Sequence, residues 1–269
     1  MPSKLIQFEY PLDRDGAVWS WDETRMAFIL YCMLEPREIT PANPDIQLLA
    51  KALHRKPGAV SKKLWNIQAH DTNRVQAGKT GLNHTNKFDK LIWEEYHEKG
   101  NALIDEATEL LSETTKHVAL ASGTTVEYES MAIPEGKEKE STVSVRVNQQ
   151  YFRNTLLTNY QHRCCLTGLA IESLLVASHI KPWRDSDPKT ERLLASNGLL
   201  LNAFHDKAFD KGLITFDDSL RLVVSRKVKH DPVNDAWLFA FRGKQIERLL
   251  VMPPAREFLE FHRDVVFKG

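Results

Sequence analysis

Between Ala121 and Thr142 the chain reads "ASGTTVEYESMAIPEGKEKEST", rich in Ser, Thr, Gly and charge and poor in large apolar residues. A segment of that composition has too little apolar surface to organise a core around itself, so the chain on either side must close a core of its own. With 42% hydrophobic residues spread over 269 positions, both sides have the material to do so. The expected organisation is a helical module over residues 1–120, a linker over 121–142 and a second domain over 143–269. No internal repeat is evident.

Charge is balanced overall but unevenly spread along the chain. Lys and Arg number 36, as do Asp and Glu, so no global field points to a nucleic acid or a membrane. From Arg55 to Lys90, however, eight Lys/Arg face two Asp, and from Glu94 to Glu140 twelve Asp/Glu face four Lys. Three cysteines, two of them adjacent at Cys164 and Cys165, are too few for a disulfide framework or a spaced zinc site. Met1 to Asp22 has no apolar signal core, and nowhere do 18 apolar residues run together. The expectation is a soluble, cytoplasmic protein with no membrane partner.

The amino-terminal part reads as helices. Ser20 and Glu23 form a capping box ahead of the apolar run "MAFILYCML", which predicts a helix from about Trp21 to Leu34. Asn43 as N-cap and Pro44 at the first helical position predict a second helix, and Pro57 restarts a third with Val60, Leu64 and Ile67 on one face. Two short helices across a basic turn make a helix-turn-helix pattern. Its candidate DNA-contacting residues are Arg55 and Lys56 from the turn with Ser61, Lys62, Lys63 and Asn66 from the following helix. An ordinary solvated basic face is the equal alternative.

Downstream, "NQQYFRNTLLTNY" has the spacing of an amphipathic helix, and "ESLLVASHI" is a strand-length apolar run ending at His179. A polar loop leads to Asn197, "LLLN" returns as a strand, and "AFHDKAFDK" makes a two-turn helix ending at Gly212. "LITFDDSLRLVV" closes as a hairpin, and the carboxy-terminal "MPPAREFLEFHRDVVF" reads as a helix covering the sheet. Asp206 and Asp210, four apart, share one helix face and can share a cation; His205 is rotated from Asp206 by about 100°. Lys181 and Arg184, with Trp183 between them, follow His179 closely enough to contact a nucleic-acid backbone.

His179, Asn197 and His205 fall in the His-Asn-His order of the HNH endonucleases. "CCLTG", "ASHIKPW", "NGLLLN" and "HDKAFDKGLITF" resemble the subfamily that lacks zinc-binding cysteine pairs. The likeness covers roughly residues 150–225, and the helical part resembles a module that precedes this domain in bacterial HNH proteins. It implies an α+β protein, a helical module followed by a ββα-metal nuclease domain. His179, Asn197 and His205 are then catalytic: His179 is the general base, and Asn197 pins the loop that aims it. One Mg²⁺ or Mn²⁺ per site is held by Asp206 and Asp210, with His205 in reserve. Many members have Asp directly before the catalytic His; Ser178 stands here, a weak ligand for a hard cation, so the helix must supply most of the coordination.

The function implied is metal-dependent hydrolysis of double-stranded DNA, in bacterial restriction or anti-phage defence, by a homodimer where both strands are cut. Two other readings stay open: a DNA-binding regulator with an inactive nuclease-like domain, which Ser178 keeps in play, and an RNA-directed nuclease.

Overall fold

The computed structural model describes residues 10–76, 86–122, 139–246 and 252–269. Lys79, in the basic stretch, and residues 123–138 of the expected linker lie outside these. The chain forms two compact units, residues 1–75 with 79–150 and residues 76–78 with 151–269.

The first unit is helical: α1 (Trp21–Met33), α2 (Pro44–Ala52), α3 (Pro57–Gln68), α4 (Thr72–Gln76), α5 (Lys87–Lys99) and α6 (Asn101–Ser122). Helix α1 starts where its capping box closes: the Glu23 amide donates to Ser20 Oγ at 3.2 Å and the Ser20 amide to the Glu23 carboxylate at 2.7 Å. Its run from Met26 to Cys32 is buried all round, so α1 forms the centre against which α3, α5 and α6 pack. Asn43 Oδ1 accepts from the amides of Asp45 and Ile46, and Pro44 takes the first helical position. Val60, Leu64 and Ile67 turn the apolar face of α3 fully inward.

Helix α7 (Lys139–Asn159) contains the division between the units, and its last turns belong to the second. There, β1 (Leu175–His179) pairs antiparallel with β2 (Gly198–Asn202), placing His179 opposite Gly198 and Ser178 opposite Leu199. Helix α8 (Ala203–Asp210) follows without a break, capped by Asn202, whose Oδ1 accepts from the His205 amide at 3.0 Å. It packs on both strands and on β3 (Ile214–Phe216), which pairs with β4 (Leu222–Val224). A short α9 (Pro232–Trp237) and a carboxy-terminal helix α10 (Arg256–Phe261), continued as a π-helical turn over His262–Val266, complete the unit.

Two glycines fix how tightly this unit closes. Gly198 has extended φ, so the Asn-Gly pair is not a left-handed turn; a β-carbon there would lie 2.6–2.8 Å from the Leu156 and Phe152 side chains, because β2 sits directly on α7. Gly212 has φ of 67° and would place a β-carbon 2.1 Å from the Val266 carbonyl. Phe152, Leu156, Leu199, Leu200, Leu201, Phe209 and Phe216 form the core behind the strands, with Cys164 and Cys165 buried in it as free thiols.

Candidate active site

Strand β1 ends at His179, and three contacts hold its imidazole. The Phe152 ring stacks on it, centroids 3.9 Å apart and planes at 12°, and Trp183 meets it edge-on at 5.4 Å. Its Nε2 lies 2.8 Å from the Arg192 carbonyl oxygen. A carbonyl only accepts, so Nε2 carries the proton and donates, and Nδ1 keeps its lone pair. Nδ1 has no hydrogen-bond partner among the described residues. Burial, above all, holds the pKa of this ring below the ordinary imidazole value, and the charge of Arg192 acts in the same direction; the hydrogen bond to the Arg192 carbonyl offsets part of this.

The loop between the strands is tied by Asn197, which is fully buried. Its Oδ1 accepts from the Lys181 amide at 2.8 Å, and its Nδ2 donates to Ser186 Oγ at 3.1 Å and to the Glu191 carbonyl at 3.2 Å. The Asn197 carbonyl accepts from the Ile180 amide at 3.0 Å. One amide side chain thereby joins both ends of the loop that carries Arg192, the residue whose carbonyl sets the His179 tautomer. Arg192 Nε donates to the Trp183 and Ser186 carbonyls, and its guanidinium lies 4.9 Å over the Trp183 ring.

A cleft of about 290 Å³ opens beside His179, and Ser178, Trp183, Asp206, Asp210 and His262 also line it. Asp206 and Asp210 come from successive turns of α8, as their spacing requires. Burial holds both carboxyls above the ordinary carboxylate range. The Ser178 hydroxyl and Lys207 favour ionisation of Asp206, while the charge of Asp210 opposes it. Ser178 Oγ is buried and faces Asp206 without making a hydrogen bond of normal geometry to any described group. Two repelling carboxylates and an unsatisfied hydroxyl form an all-oxygen donor set of the kind a hard divalent cation takes up.

His205 is not in this cleft, which corrects its assignment as a metal ligand and catalytic residue. One residue before Asp206 on α8, it is rotated to the buried side, 1% exposed, with Nε2 donating to the Trp237 carbonyl at 3.1 Å and Nδ1 against Asn202 Oδ1. His262, which no sequence signal singled out, does line the cleft. Its ring stacks on Phe209 at 3.7 Å, Nε2 donates to the Phe209 carbonyl and Nδ1 accepts from Thr215 Oγ1. Burial pushes its pKa down to about 4, so it stays neutral and braces α8 from below.

The proposed nucleic-acid contacts divide. Arg55 is 1% and Lys63 2% exposed, and both turn inward. Arg55 donates to both carboxylate oxygens of Glu23 and to the Ala17 and Val18 carbonyls, with its guanidinium 4.4 Å over Trp19; Lys63 pairs with Asp89. Ser61 is buried and donates to the Pro57 carbonyl. These three cannot meet a phosphate or a base, because counter-charges on α1 and α5 and the helix's own backbone already hold them. Lys62 is exposed, Asn66 partly so, and Lys56 is exposed but paired with Asp15 at 2.8 Å. In the second unit Lys181 pairs with Glu191 at 2.6 Å, and Arg184 is exposed beside Asp185.

Residues 164–217 match the family model HNH_2, described as HNH endonuclease; no curated protein matches the chain. The match begins at the buried cysteine pair and runs through β1, the Asn197 loop, β2, α8 and β3, and so takes in every cleft residue except His262 and Val266. Nucleases of this family use divalent metal ions. Among the described residues no helix is long and apolar enough to cross a membrane. Residues 164–217 are therefore an HNH endonuclease domain.

Proposed function

We propose that the chain is a metal-dependent DNA endonuclease in which His179 is the general base. A phosphodiester resists hydrolysis because its charge repels a nucleophile and its leaving oxygen departs poorly. The observation that carries the reading is the His179 imidazole: one nitrogen is committed to a carbonyl, and the other is unprotonated and without a partner in a ring that lines the same cleft as two carboxylates. Such a nitrogen takes the proton of an attacking water, and a depressed pKa keeps it able to do so at neutral pH. Asn197 acts at one remove, holding the loop whose Arg192 carbonyl fixes that tautomer.

Ser178 Oγ, Asp206 and Asp210 would hold one Mg²⁺ or Mn²⁺. When bound, that ion neutralises charge on the scissile phosphate and on the leaving oxygen. Duplex DNA is the substrate favoured by Lys62 and Asn66, exposed or partly exposed on a short helix after a tight turn, because the A-form groove of RNA is too narrow for a helix to read. A homodimer supplies two sites where both strands are cut, and a helical unit ahead of a nuclease unit fits restriction or phage defence.

The test is cleavage of supercoiled plasmid with Mg²⁺ or Mn²⁺, against RNA of matched length, by the chain and by His179→Ala. Loss of about 10²–10⁴-fold in the variant, with folding intact by circular dichroism, is expected. Equal rates for the two proteins would remove His179 from the chemistry, and faster cleavage of RNA would replace the substrate.

A further inference from the structure

On the side of α8 away from the cleft, the second unit exposes two aromatic rings together. Trp237, at the end of α9, is 54% exposed, and Phe204, in the first turn of α8, is 44% exposed. Their centroids are 5.2 Å apart with planes at 53°. The pair is held rigidly: Phe204 lies edge-on to the buried His205, and the His205 Nε2 proton is donated to the Trp237 carbonyl. His205 thus acts as a strut between the two helices that carry the rings.

The surroundings of the rings are cationic. Phe204, Lys207 and Lys211 follow one another at i, i+3 and i+7 on the outer face of α8, and both lysines are exposed with no ion pair among the described residues. From Arg221 to Ile246, the stretch that contains α9, six Lys/Arg face two Asp, a net charge of +4 (6 − 2). Those two aspartates are already engaged, Asp231 as the N-cap of α9 and Asp235 with His230 at 2.6 Å.

Rigid exposed rings with exposed lysines beside them fit a ligand that offers flat π-faces and negative charge in alternation, which is a nucleic-acid strand with unstacked bases. A blunt duplex hides those faces in its own stack. We propose that the Phe204–Trp237 shelf binds unpaired bases, so that this nuclease favours substrates with a single-stranded tail, gap or extruded base. The proposal rests on the nucleic-acid reading of the domain and sharpens its substrate class.

The experiment reads binding and not cleavage. Fluorescence anisotropy in EDTA, with the His179→Ala protein, compares a blunt DNA duplex with the same duplex carrying an unpaired tail. Tighter binding of the tailed duplex is expected. Trp237→Ala in that background should cut this preference about tenfold, Phe204→Ala should act the same way, and Trp237→Phe should keep most of it. The shelf assignment is overturned if His179→Ala shows no preference for the tail, or if both alanine variants, folded by circular dichroism, retain it. Retained preference together with loss of a dimer in sedimentation would make the shelf a subunit contact and overturn it equally. Plasmid cleavage by the unsubstituted chain tests the nuclease reading separately.

Discussion

The basic turn of the first unit and the acidic helix of the second pose the same problem, charge set beside an apolar run, and the fold solves it in opposite ways. Around Trp19 every buried charge meets its opposite: Arg55 with Glu23, Lys63 with Asp89, the two cations 4.4 and 5.3 Å from the indole centroid. In the cleft, Asp206 and Asp210 have each other and the Ser178 hydroxyl, with no buried cation opposite them and only the exposed Lys207 and Lys211 to offset their charge. The pKa directions follow. Hydrogen bonds and ion pairing to Arg55 outweigh the burial of Glu23 and leave its carboxyl below the ordinary range, while burial leaves both cleft carboxyls above it. Charge that a fold has neutralised internally is architecture; charge left uncompensated is held for something that arrives from outside.

The largest way to break this contrast is to remove one partner of the first cluster. Arg55→Ala leaves the buried Glu23 carboxylate with only the partly exposed Arg14, at 3.3 Å, as a counter-charge, a change of about 3 kcal/mol against folding. The double variant Glu23→Gln with Arg55→Met should recover most of that loss, because no charge is then left buried alone and Gln still offers an oxygen to the Ser20 amide. Urea unfolding followed by circular dichroism measures both. A single variant as stable as the double would mean that Arg55 is solvated, and would reinstate it as a candidate contact for a phosphate.

Neutralising the cleft should act in the reverse sense. A carboxyl with a raised folded pKa favours its protonated form in the native state, so stability is lost as pH rises from the unfolded value through the folded one, and at pH 7 the penalty is fully present. Asp210→Asn removes it. Asp210 is exposed, so solvent screens most of the repulsion, and a gain of only about 1–2 °C in the unfolding midpoint is expected. Mn²⁺ should raise the midpoint of the unsubstituted chain and leave Asp206→Asn with Asp210→Asn nearly unmoved. Equal Mn²⁺ stabilisation of both proteins would place the cation elsewhere.

What the amino-acid order disclosed, and what it hid, follows the range of the interactions. The Ser20–Glu23 box, the Asn43–Pro44 start and the left-handed Gly212 are set by groups within a few residues, and each helix end lies where those groups put it. The strand-loop-strand-helix order around His179 is equally local, as is the shared face of Asp206 and Asp210. Nothing near Arg55 and Lys63 in the sequence turns them inward, because their partners, Glu23 and Asp89, lie 32 and 26 residues away. Helix geometry already rotates His205 from Asp206, and only the family resemblance keeps it as a reserve ligand; the acceptor that holds it away, the Trp237 carbonyl, is 32 residues downstream, and the contact of His262 with Phe209 spans 53. A wheel drawn on one helix gives the faces; only the neighbouring helix says which face is covered.

The smallest effect separates the proposed base from the carboxylates that line its cleft. With its folded pKa below that of a free imidazole, about 6.5, His179 is neutral over a wider range than an exposed histidine. Stability from this group is lost as pH falls below the unfolded value, because the unfolded ring takes up a proton first. Activity should fall on the same side, so kcat/KM at saturating Mn²⁺, followed from about pH 5 to 8, should show an acid limb below 6.5. A bound cation beside the ring pushes in the same direction. Burial under Phe152 is the first cause of the shift, so Phe152→Ala should admit water and move the limb up toward 6.5 by a fraction of a unit. Asp206→Asn should lower the rate and weaken Mn²⁺ binding while the limb stays below 6.5. A limb that lies above 6.5 in the unsubstituted chain, or that ignores Phe152, would mean that the titrating group is not this imidazole, and the contrast between a compensated cluster and a poised one would lose its catalytic half.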